Sequence, residues 1–263
     1  MPDLTITLIQ TALDWEDIDA NLKRFDAWLD RAPAATDLVV LPEMFTTGFT
    51  MAPAAVAEQM DGRGATWLAQ QARRRGVHLA GSLVIRDGGR HYNRLVWAQP
   101  DGRTLTYDKR HLFRMAGEHE VYAGGREHLT VTVNGWRIRP FVCYDLRFPG
   151  WTRNLGPQYD LALFVANWPA PRAKHWRLLL AARAVENQCW VAGVNRIGSD
   201  GNERRYDGQS RIVDPLGEVV LDAGTAAGIH THTLSAARLA EYREAFPAWK
   251  DADLELRRAI PTL

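Results

Sequence analysis

The segment Leu161-Ala-Leu-Phe-Val-Ala166 is an unbroken apolar run with the length of a β-strand, and a helical pattern follows it from about Arg172 to Asn187. Within that pattern Trp176, Leu180 and Ala184 share one helical face. A strand that is apolar on both faces and leads into an amphipathic helix is typical of proteins in which helices cover a sheet. The segment therefore predicts the α/β class.

The N-terminal part of the chain repeats this pattern. Thr5 to Gln10 alternates as a strand, Ile18 to Asp30 has apolar residues at helical spacing, and Leu38-Val-Val-Leu41 is a second buried run. Pro42 stops that run and Glu43 follows. We therefore expect Glu43 at the carboxyl end of a buried strand.

Hairpin signals separate the two halves. Residues 78–109 read as an antiparallel meander with a turn at Gly88-Gly89, and Asn134-Gly135 joins strands expected over 129–133 and 136–144. Helices that alternate with strands in both halves, with hairpins between them, predict two mixed sheets packed together. We expect one domain that spans residues 1–263.

Composition limits the classes of function. The chain has 263 residues, 46% of them hydrophobic, and a formal net charge of +1. Such a balance produces no long-range field that would attract nucleic acid or an anionic membrane. The charge-free stretches are far shorter than the roughly 20 apolar residues of a membrane-spanning helix, and residues 1–10 alternate instead of forming a signal peptide. These features favour a cytoplasmic protein without nucleic-acid or membrane partners.

Two cysteines offer a possible nucleophile. Cys143 ends an apolar strand and precedes a sharp turn towards a new helix, a position where a thiol is accessible and close to backbone N–H groups. The structural alternative is a buried cysteine that acts as a small hydrophobic residue, which is how we interpret Cys189.

A nucleophilic thiol also requires a base or a nearby cation. Glu43 and Lys109 stand at the ends of predicted strands, although a charge in such a position, taken singly, more often faces solvent. If Lys109 lies beside Cys143, we expect a thiolate that is alkylated much faster than Cys189.

The three residues lie in motifs that carry a family resemblance. The motifs are Leu41-Pro-Glu-Met-Phe45, Asp108-Lys-Arg-His-Leu-Phe113 and Val142-Cys-Tyr-Asp-Leu-Arg-Phe-Pro149. They resemble the nitrilase superfamily of carbon–nitrogen hydrolases, whose Glu, Lys, Cys triad occurs in this order. The resemblance extends over nearly the whole chain through Arg183 to Gln188, Gly193 to Gly198 and Asp214 to Glu218.

The resemblance implies roles for these residues. Cys143 would be the nucleophile, Glu43 the general base, and Lys109 the cation that stabilises the tetrahedral intermediate together with the backbone N–H of Tyr144. Neither a metal nor an organic cofactor is implied. The implied fold is a four-layer α-β-β-α sandwich with the helices on the outer faces.

A second glutamate follows the lysine in this family, and the chain offers Glu118 and Glu120. The spacing Glu118-x-x-x-Tyr122-x-x-Gly125 favours Glu118. Members of the family commonly pair, and we expect a homodimer, or else a tetramer, with the helix after Cys143 and the 172–187 helix at the contact. The segment 248–263 would either cover the site or reach into a neighbour.

The segments around the triad also suggest the substrate. Tyr144 and Asp145 stand where true nitrilases have Trp-Glu, which favours an amide, and the stretch from Val165 to Arg172 is similar to bacterial omega-amidases. Such enzymes act on 2-oxoglutaramate or 2-oxosuccinamate, which carry a carboxylate at the far end from the amide.

Arginine is the side chain best suited to bind that carboxylate. Arg172 is the first candidate, followed by Arg147 and Arg114, and Trp168 and Phe45 are candidates for an apolar wall. Each arginine is also consistent with a surface position.

Several other interpretations of the sequence stay open, and some are less favoured. An N-carbamoyl-amino-acid amidase, another aliphatic amidase, or a non-catalytic binding module of the same fold would share most of these motifs. His230 and His232 point to one face of a strand, but no third metal ligand has a fitting spacing. The run Arg73-Arg-Arg75 ends a predicted helix, where cations complement the dipole.

Overall fold

A computed structural model describes residues 1–252 and contains two six-stranded mixed sheets. The first sheet has the strand order β14-β1-β2-β3-β4-β5. Its strands are β1 (Leu4–Gln10), β2 (Leu38–Val40), β3 (His78–Asp87), β4 (Arg90–Ala98), β5 (Thr104–Asp108) and β14 (Gly228–Leu234). The predicted meander is β3, β4 and β5, which pair antiparallel.

The second sheet has the order β13-β12-β9-β8-β7-β6. Its strands are β6 (Val131–Val133), β7 (Trp136–Val142), β8 (Leu161–Ala166), β9 (Trp190–Asn195), β12 (Arg211–Val213) and β13 (Val219–Asp222). A separate hairpin of β10 (Ile197–Ser199) and β11 (Arg205–Asp207) stands outside both sheets.

Seven α-helices form in the described residues. They are α1 (Ile18–Leu29), α2 (Pro53–Val56), α3 (Arg63–Arg75), α4 (Glu118–Val121), α5 (Pro149–Thr152), α6 (Ala173–Asn187) and α7 (Ala236–Ala245). Helices α1 and α3 cover the first sheet and α6 covers the second. The predicted fold class, an α-β-β-α sandwich, is confirmed. None of the helices in residues 1–252 combines the length and the hydrophobicity needed to cross a membrane.

The core follows the alternation of the strands. Ile6 and Leu8 on β1 face the inter-sheet layer, where they join Trp136 and Leu161 of the second sheet. Val39 on β2 faces the opposite side of the first sheet, where it packs with residues of α1 and α3. Because the two buried layers share the first sheet, its strands must be apolar on both faces, as the run at 38–41 indicated.

Two local expectations required correction. Strand β7 ends at Val142, so Cys143 begins a 3-10 turn, and the expected helix after it is the single turn α5, which begins at Pro149 and stops before the extended Arg153. The hairpin β10–β11 was missed because its strands have three residues each, too few for an alternation to be recognised. The expectation for 248–263 falls mostly outside the described residues.

Strand direction places the candidate residues together. Strands β2, β3 and β5 run the same way, and so do β7, β8 and β9. Glu43 and Lys109 follow the carboxyl ends of strands in the first sheet, and Cys143 follows the carboxyl end of β7 in the second. The two sheets pack face to face, and these ends meet at one edge of the sandwich.

Candidate active site

Cys143 stands on a strained turn. Its φ is +44°, in the left-handed region that side chains other than glycine seldom adopt, and its side chain is 8% exposed. The buried carboxylate of Asp145 stabilises the turn by accepting the Val142 N–H at 3.1 Å and the Tyr107 hydroxyl at 2.7 Å. Asp145 also accepts the His111 N–H at 2.9 Å, so the cysteine turn is tied to the segment that follows Lys109.

Glu43, Lys109 and Glu118 form what we call the charged cluster. Lys109 Nζ donates to Glu43 Oε1 at 2.9 Å and to both carboxylate oxygens of Glu118 at 3.0 Å. All three side chains are at most 1% exposed. Lys109 Nζ also lies 5.0 Å from the ring centre of Phe49. Ionised groups buried this deeply are retained only when they are paired and hydrogen-bonded, as they are here.

The charge balance of the cluster sets the protonation states. Burial disfavours the charged form of Lys109, but Glu118 and Glu43 outweigh it and raise the pKa of the ammonium above its usual value. Burial raises the pKa of Glu118. The positive charge of Lys109 lowers that pKa only in part, because the negative charge of Glu43 raises it again.

The same balance acts on the nucleophile. Burial, followed by the negative charge of Glu43, raises the pKa of the Cys143 thiol well above its usual value, although Lys109 opposes the shift. One ammonium faces two carboxylates, so the raised pKa of Cys143 disfavours the thiolate expected beside Lys109. A thiol with a raised pKa needs a base to lose its proton.

Two asparagines fix the orientation of Glu43. Asn93 on β4 donates to Glu43 Oε1 at 2.7 Å and accepts from the Ser82 hydroxyl at 2.8 Å. Asn167, the first residue after β8, donates its backbone N–H to Glu43 Oε2 at 2.7 Å. Each carboxylate oxygen of Glu43 therefore accepts a hydrogen bond from a different sheet.

A cavity opens beside the nucleophile. Its walls are Phe49, Lys109, Phe113, Cys143, Tyr144, Arg147, Asn167, Trp168, Pro169, Arg172, Arg204 and Tyr206. Three of these residues, Arg147, Arg172 and Arg204, form what we call the arginine wall. Among residues 1–252 none of the three has a carboxylate within ion-pair distance, and no acidic side chain lines the cavity. The arginine wall thus presents cations without counter-charges.

The arginines of the wall have other contacts. Arg147 lies over the Trp168 ring at 4.9 Å and its Nη2 is 3.0 Å from His175 Nδ1. Arg172 lies over the Phe113 ring at 5.2 Å. Arg172 and Arg204 also line a second, outer cavity, so they stand between the nucleophile and solvent.

The structure sorts the remaining expected residues. The Glu118 side chain is buried and bonded to Lys109, whereas that of Glu120 is 73% exposed. Phe45 was expected in the apolar wall, but it packs edge-on against Phe25 at 5.3 Å, between the first sheet and its helices. The left-handed turn at Met44 accompanies this placement, and Phe49 lines the cavity instead.

The other sequence candidates lie away from the cavity. Arg114 is exposed and does not line it, and Cys189 is fully buried in the core, where burial raises the pKa of its thiol to about 12. In residues 1–252, His230 and His232 belong to no group of three side chains able to hold a metal ion.

Sequence reasoning missed Asn93, Asn167 and Arg204. The sequence did contain a signal for Asn93. It is a polar residue within the meander expected over 78–109, and an amide that is buried in a sheet needs a hydrogen-bond partner. Arg204 stands in an irregular polar stretch without periodicity. It follows Cys143 by more than 60 residues in the chain, and no sequence signal connects it with the cavity beside Cys143.

Comparison with known proteins gives a consistent result. Residues 5–244 match the family model described as "Carbon-nitrogen hydrolase". The chain is 51% identical to the omega-amidase YafV of Escherichia coli over 255 residues, covering 96% of this chain and 98% of the relative. It is 35% identical to the 2-oxoglutaramate amidase of Bacillus subtilis, with the same coverage.

Solved structures agree with these relatives. A CN-hydrolase superfamily protein from Xanthomonas campestris, crystallised with an arsenic adduct in its active site, superposes with a TM-score of 0.94 at 48% identity. That comparison covers 96% of this chain and 98% of the other.

Proposed function

This chain belongs to the carbon–nitrogen hydrolase family, and from that premise we propose that it hydrolyses a small omega-amide, of the 2-oxoglutaramate or 2-oxosuccinamate type, to an acid and ammonia. The observation that carries the substrate assignment is the arginine wall beside Cys143 and Lys109. Arg147 and Arg172 are half-buried and Arg204 is exposed, and guanidinium groups without carboxylate partners in residues 1–252 favour a ligand that brings its own carboxylate.

In the proposed reaction, the Cys143 sulfur attacks the amide carbonyl while Glu43 takes the thiol proton. The resulting oxyanion is stabilised by Lys109 and by the backbone N–H of Tyr144. Tyr144 is the second residue of a 3-10 turn, and N–H groups in a first helical turn have no intrahelical acceptor. Glu43 then returns its proton to the amide nitrogen, the C–N bond breaks, and ammonia leaves a thioester on Cys143.

Water completes the cycle. Glu43, assisted by Glu118, removes a proton from the attacking water, and the second tetrahedral intermediate collapses to the acid and the Cys143 thiol. The raised pKa of Cys143 supports a base-assisted attack, since the free protein holds a thiol. Every step uses the chain's own side chains.

At the far end, Arg172 is proposed to bind the substrate carboxylate, with Arg147 and Arg204 beside it and Trp168 as the apolar wall. Trp168 is held in place because its indole N–H donates to the Arg172 carbonyl at 2.8 Å. The distance along the cavity between the nucleophile and Arg172 would then select the chain length of the substrate.

The assignment is tested by ammonia release from a panel with Cys143→Ala as the control. The panel holds 2-oxoglutaramate, 2-oxosuccinamate, a neutral aliphatic amide, a nitrile and an N-carbamoyl amino acid. Preference for the 2-oxo monoamides is the expected result. Preference for the neutral amide or the nitrile would reject the carboxylate site, and preference for the N-carbamoyl amino acid would keep that site and reject the omega-amide. Inactivity on the whole panel would favour a non-catalytic module.

We further propose a homodimer that forms on α6. Leu178 and Val185 on this helix are 58% and 47% exposed, and Leu216 and Val219 of the adjoining turn and strand are also exposed. Such an apolar surface is more often an interface than a solvated face. Sedimentation of the wild type and of Leu178→Glu tests this, because a charge in the interface should produce monomers.

A cytoplasmic location is proposed as well. Both cysteines are free in the structure, and a thiol nucleophile requires a reducing compartment. Activity in the soluble cytoplasmic fraction is the corresponding measurement.

A further inference from the structure

Asn167 occupies a position that the proposed mechanism does not yet use. It is the first residue after β8, it is 3% exposed, and it lines the cavity together with Cys143 and Lys109. Its backbone N–H and its side chain both contact Glu43.

The contacts determine which way the side-chain amide faces. Asn167 Nδ2 donates to the backbone carbonyl of Glu43 at 2.5 Å. A carbonyl oxygen can only accept, so the amide cannot be turned over without placing two acceptors against each other. Asn167 Oδ1 is thereby held on the side away from that carbonyl.

Asn167 Oδ1 is buried and has no hydrogen-bond partner within residues 1–252. A few other buried side-chain atoms share this property, but in the described part of the chain Asn167 is the one such residue that also lines the cavity. Buried polar groups are almost always hydrogen-bonded, and an orphaned acceptor is unfavourable. The missing partner must be a donor that enters the cavity.

We propose that Asn167 Oδ1 accepts an N–H of the substrate's primary amide and so orients the leaving nitrogen towards Glu43. The inference rests on the proposed function. In the monoamide of a 2-oxo acid the carboxylate and carbonyl oxygens accept hydrogen bonds, and the amide N–H is the donor. Asn167 is bonded to Glu43, and the leaving nitrogen must lie within reach of the Glu43 carboxyl group to receive its proton.

The contact belongs to one half of the reaction. When Glu43 protonates the nitrogen and the C–N bond breaks, ammonia takes the donor away, and the thioester has no N–H to offer. An omega-amide and the omega-methyl ester of the same acid form the same thioester, but only the amide offers an N–H to Asn167 Oδ1 during acylation. The intrinsic difference in reactivity between amide and ester cancels when a variant is compared with the wild type.

The experiment compares kcat/KM for such an amide and ester in the wild type and in Asn167→Ala. We expect Asn167→Ala to lower the amide-to-ester ratio about tenfold, the effect of losing one hydrogen bond in the acylation step. Equal losses for both substrates would overturn the proposal, because they would mean that Asn167 does no more than position Glu43.

Asn195→Ala is the matched control. The Asn195 amide holds the same loop through the Trp168 N–H at 2.8 Å and the Trp168 carbonyl at 3.0 Å, but Asn195 does not line the cavity. Loosening the loop should reduce amide and ester hydrolysis alike. A change of the ratio in this control as large as in Asn167→Ala would also overturn the proposal.

A second variant covers the case in which Asn167→Ala fails to fold. Asn167→Asp keeps the volume and an acceptor oxygen, so both activities should fall while the ratio stays near that of the wild type; a tenfold drop would contradict the inference. If the wild type instead prefers a neutral amide, the proposed acid substrate is wrong, yet the ratio for that amide and its ester still tests Asn167.

Discussion

The charged cluster and the arginine wall lie on two sides of one cavity and are built in opposite ways. In the cluster, Lys109 is bonded to two carboxylates and every side chain is buried. In the wall, Arg172 is half-buried, Arg204 is exposed, and neither has an ion-pair partner in residues 1–252. The cluster is thus already paired within the chain, whereas the wall is the part that, in our proposal, the substrate carboxylate completes.

This contrast predicts how variants should behave. Changes in the cluster should reduce turnover of every amide, because they remove interactions with the reacting atoms. Changes in the wall should act selectively on substrates that carry a carboxylate.

The largest effect is expected for Cys143→Ala. Without a nucleophile no thioester forms, and kcat should fall on the order of 10⁵-fold for acidic and neutral amides alike. Cys189→Ala is the matched control, because that thiol is buried in the core; it should lower the melting temperature and leave kcat nearly unchanged. Substantial ammonia release by Cys143→Ala would exclude the mechanism.

Glu118→Gln should have the next largest effect. The substitution removes one of the two carboxylates bonded to Lys109 and should lower kcat roughly 100-fold with acidic and neutral substrates. Glu120→Gln, two residues away and exposed, should stay within about twofold of the wild type. Similar losses in both variants would mean that Glu118 is not the second active-site glutamate.

The wall is tested by Arg172→Ala. Loss of a charge-assisted contact should raise KM for a dicarboxylic monoamide about 10- to 100-fold and leave a neutral amide of the same length almost unaffected. Arg204→Ala should show the same selectivity with a loss of about threefold, since its side chain is exposed and screened by solvent. Equal effects on both substrates would remove Arg172 from the carboxylate site.

The smallest expected effect is the change in the alkylation rate of Cys143 for each unit of pH. Because its pKa is raised, the thiolate fraction should increase throughout pH 6 to 9, and alkylation by iodoacetamide should accelerate by up to about tenfold per pH unit. A rate that is already constant from neutral pH upward would show that Lys109 stabilises a thiolate in the free protein. Mass spectrometry locates the label, and Cys189 should stay unmodified.

Predictions from sequence were strongest where the physics is local. The apolar runs at 38–41 and 161–166 identified two central strands, and the periodicity of 18–30 and 172–187 identified α1 and α6, which lie on opposite faces of the sandwich. The motif around each triad residue placed Glu43, Lys109 and Cys143 at strand ends, where the structure has them. Their catalytic roles stay predictions.

Long-range packing explains the expectations that needed correction. Phe45 was a candidate for the apolar wall of the cavity, although aromatic residues at strand ends more often belong to the core, and the turn at Met44 sends its ring into the helix layer. The raised pKa of Cys143 depends first on burial and then on the charge of Glu43, which lies 100 residues before it in the chain, so no single motif contains the cause. Asn167 and Arg204 reach the cavity from two further segments.

The sequence by itself determined the α/β class, the order of the main elements and the identity of the family, because hydrophobic periodicity, turn chemistry and short motifs act between residues close in the chain. The tertiary structure alone decided that one ammonium faces two buried carboxylates, that three arginines share a cavity without acidic neighbours, and that one asparagine oxygen there has no partner among residues 1–252. Charge balance and hydrogen-bond satisfaction depend on distances across the two sheets, and those distances exist only after the sheets have packed.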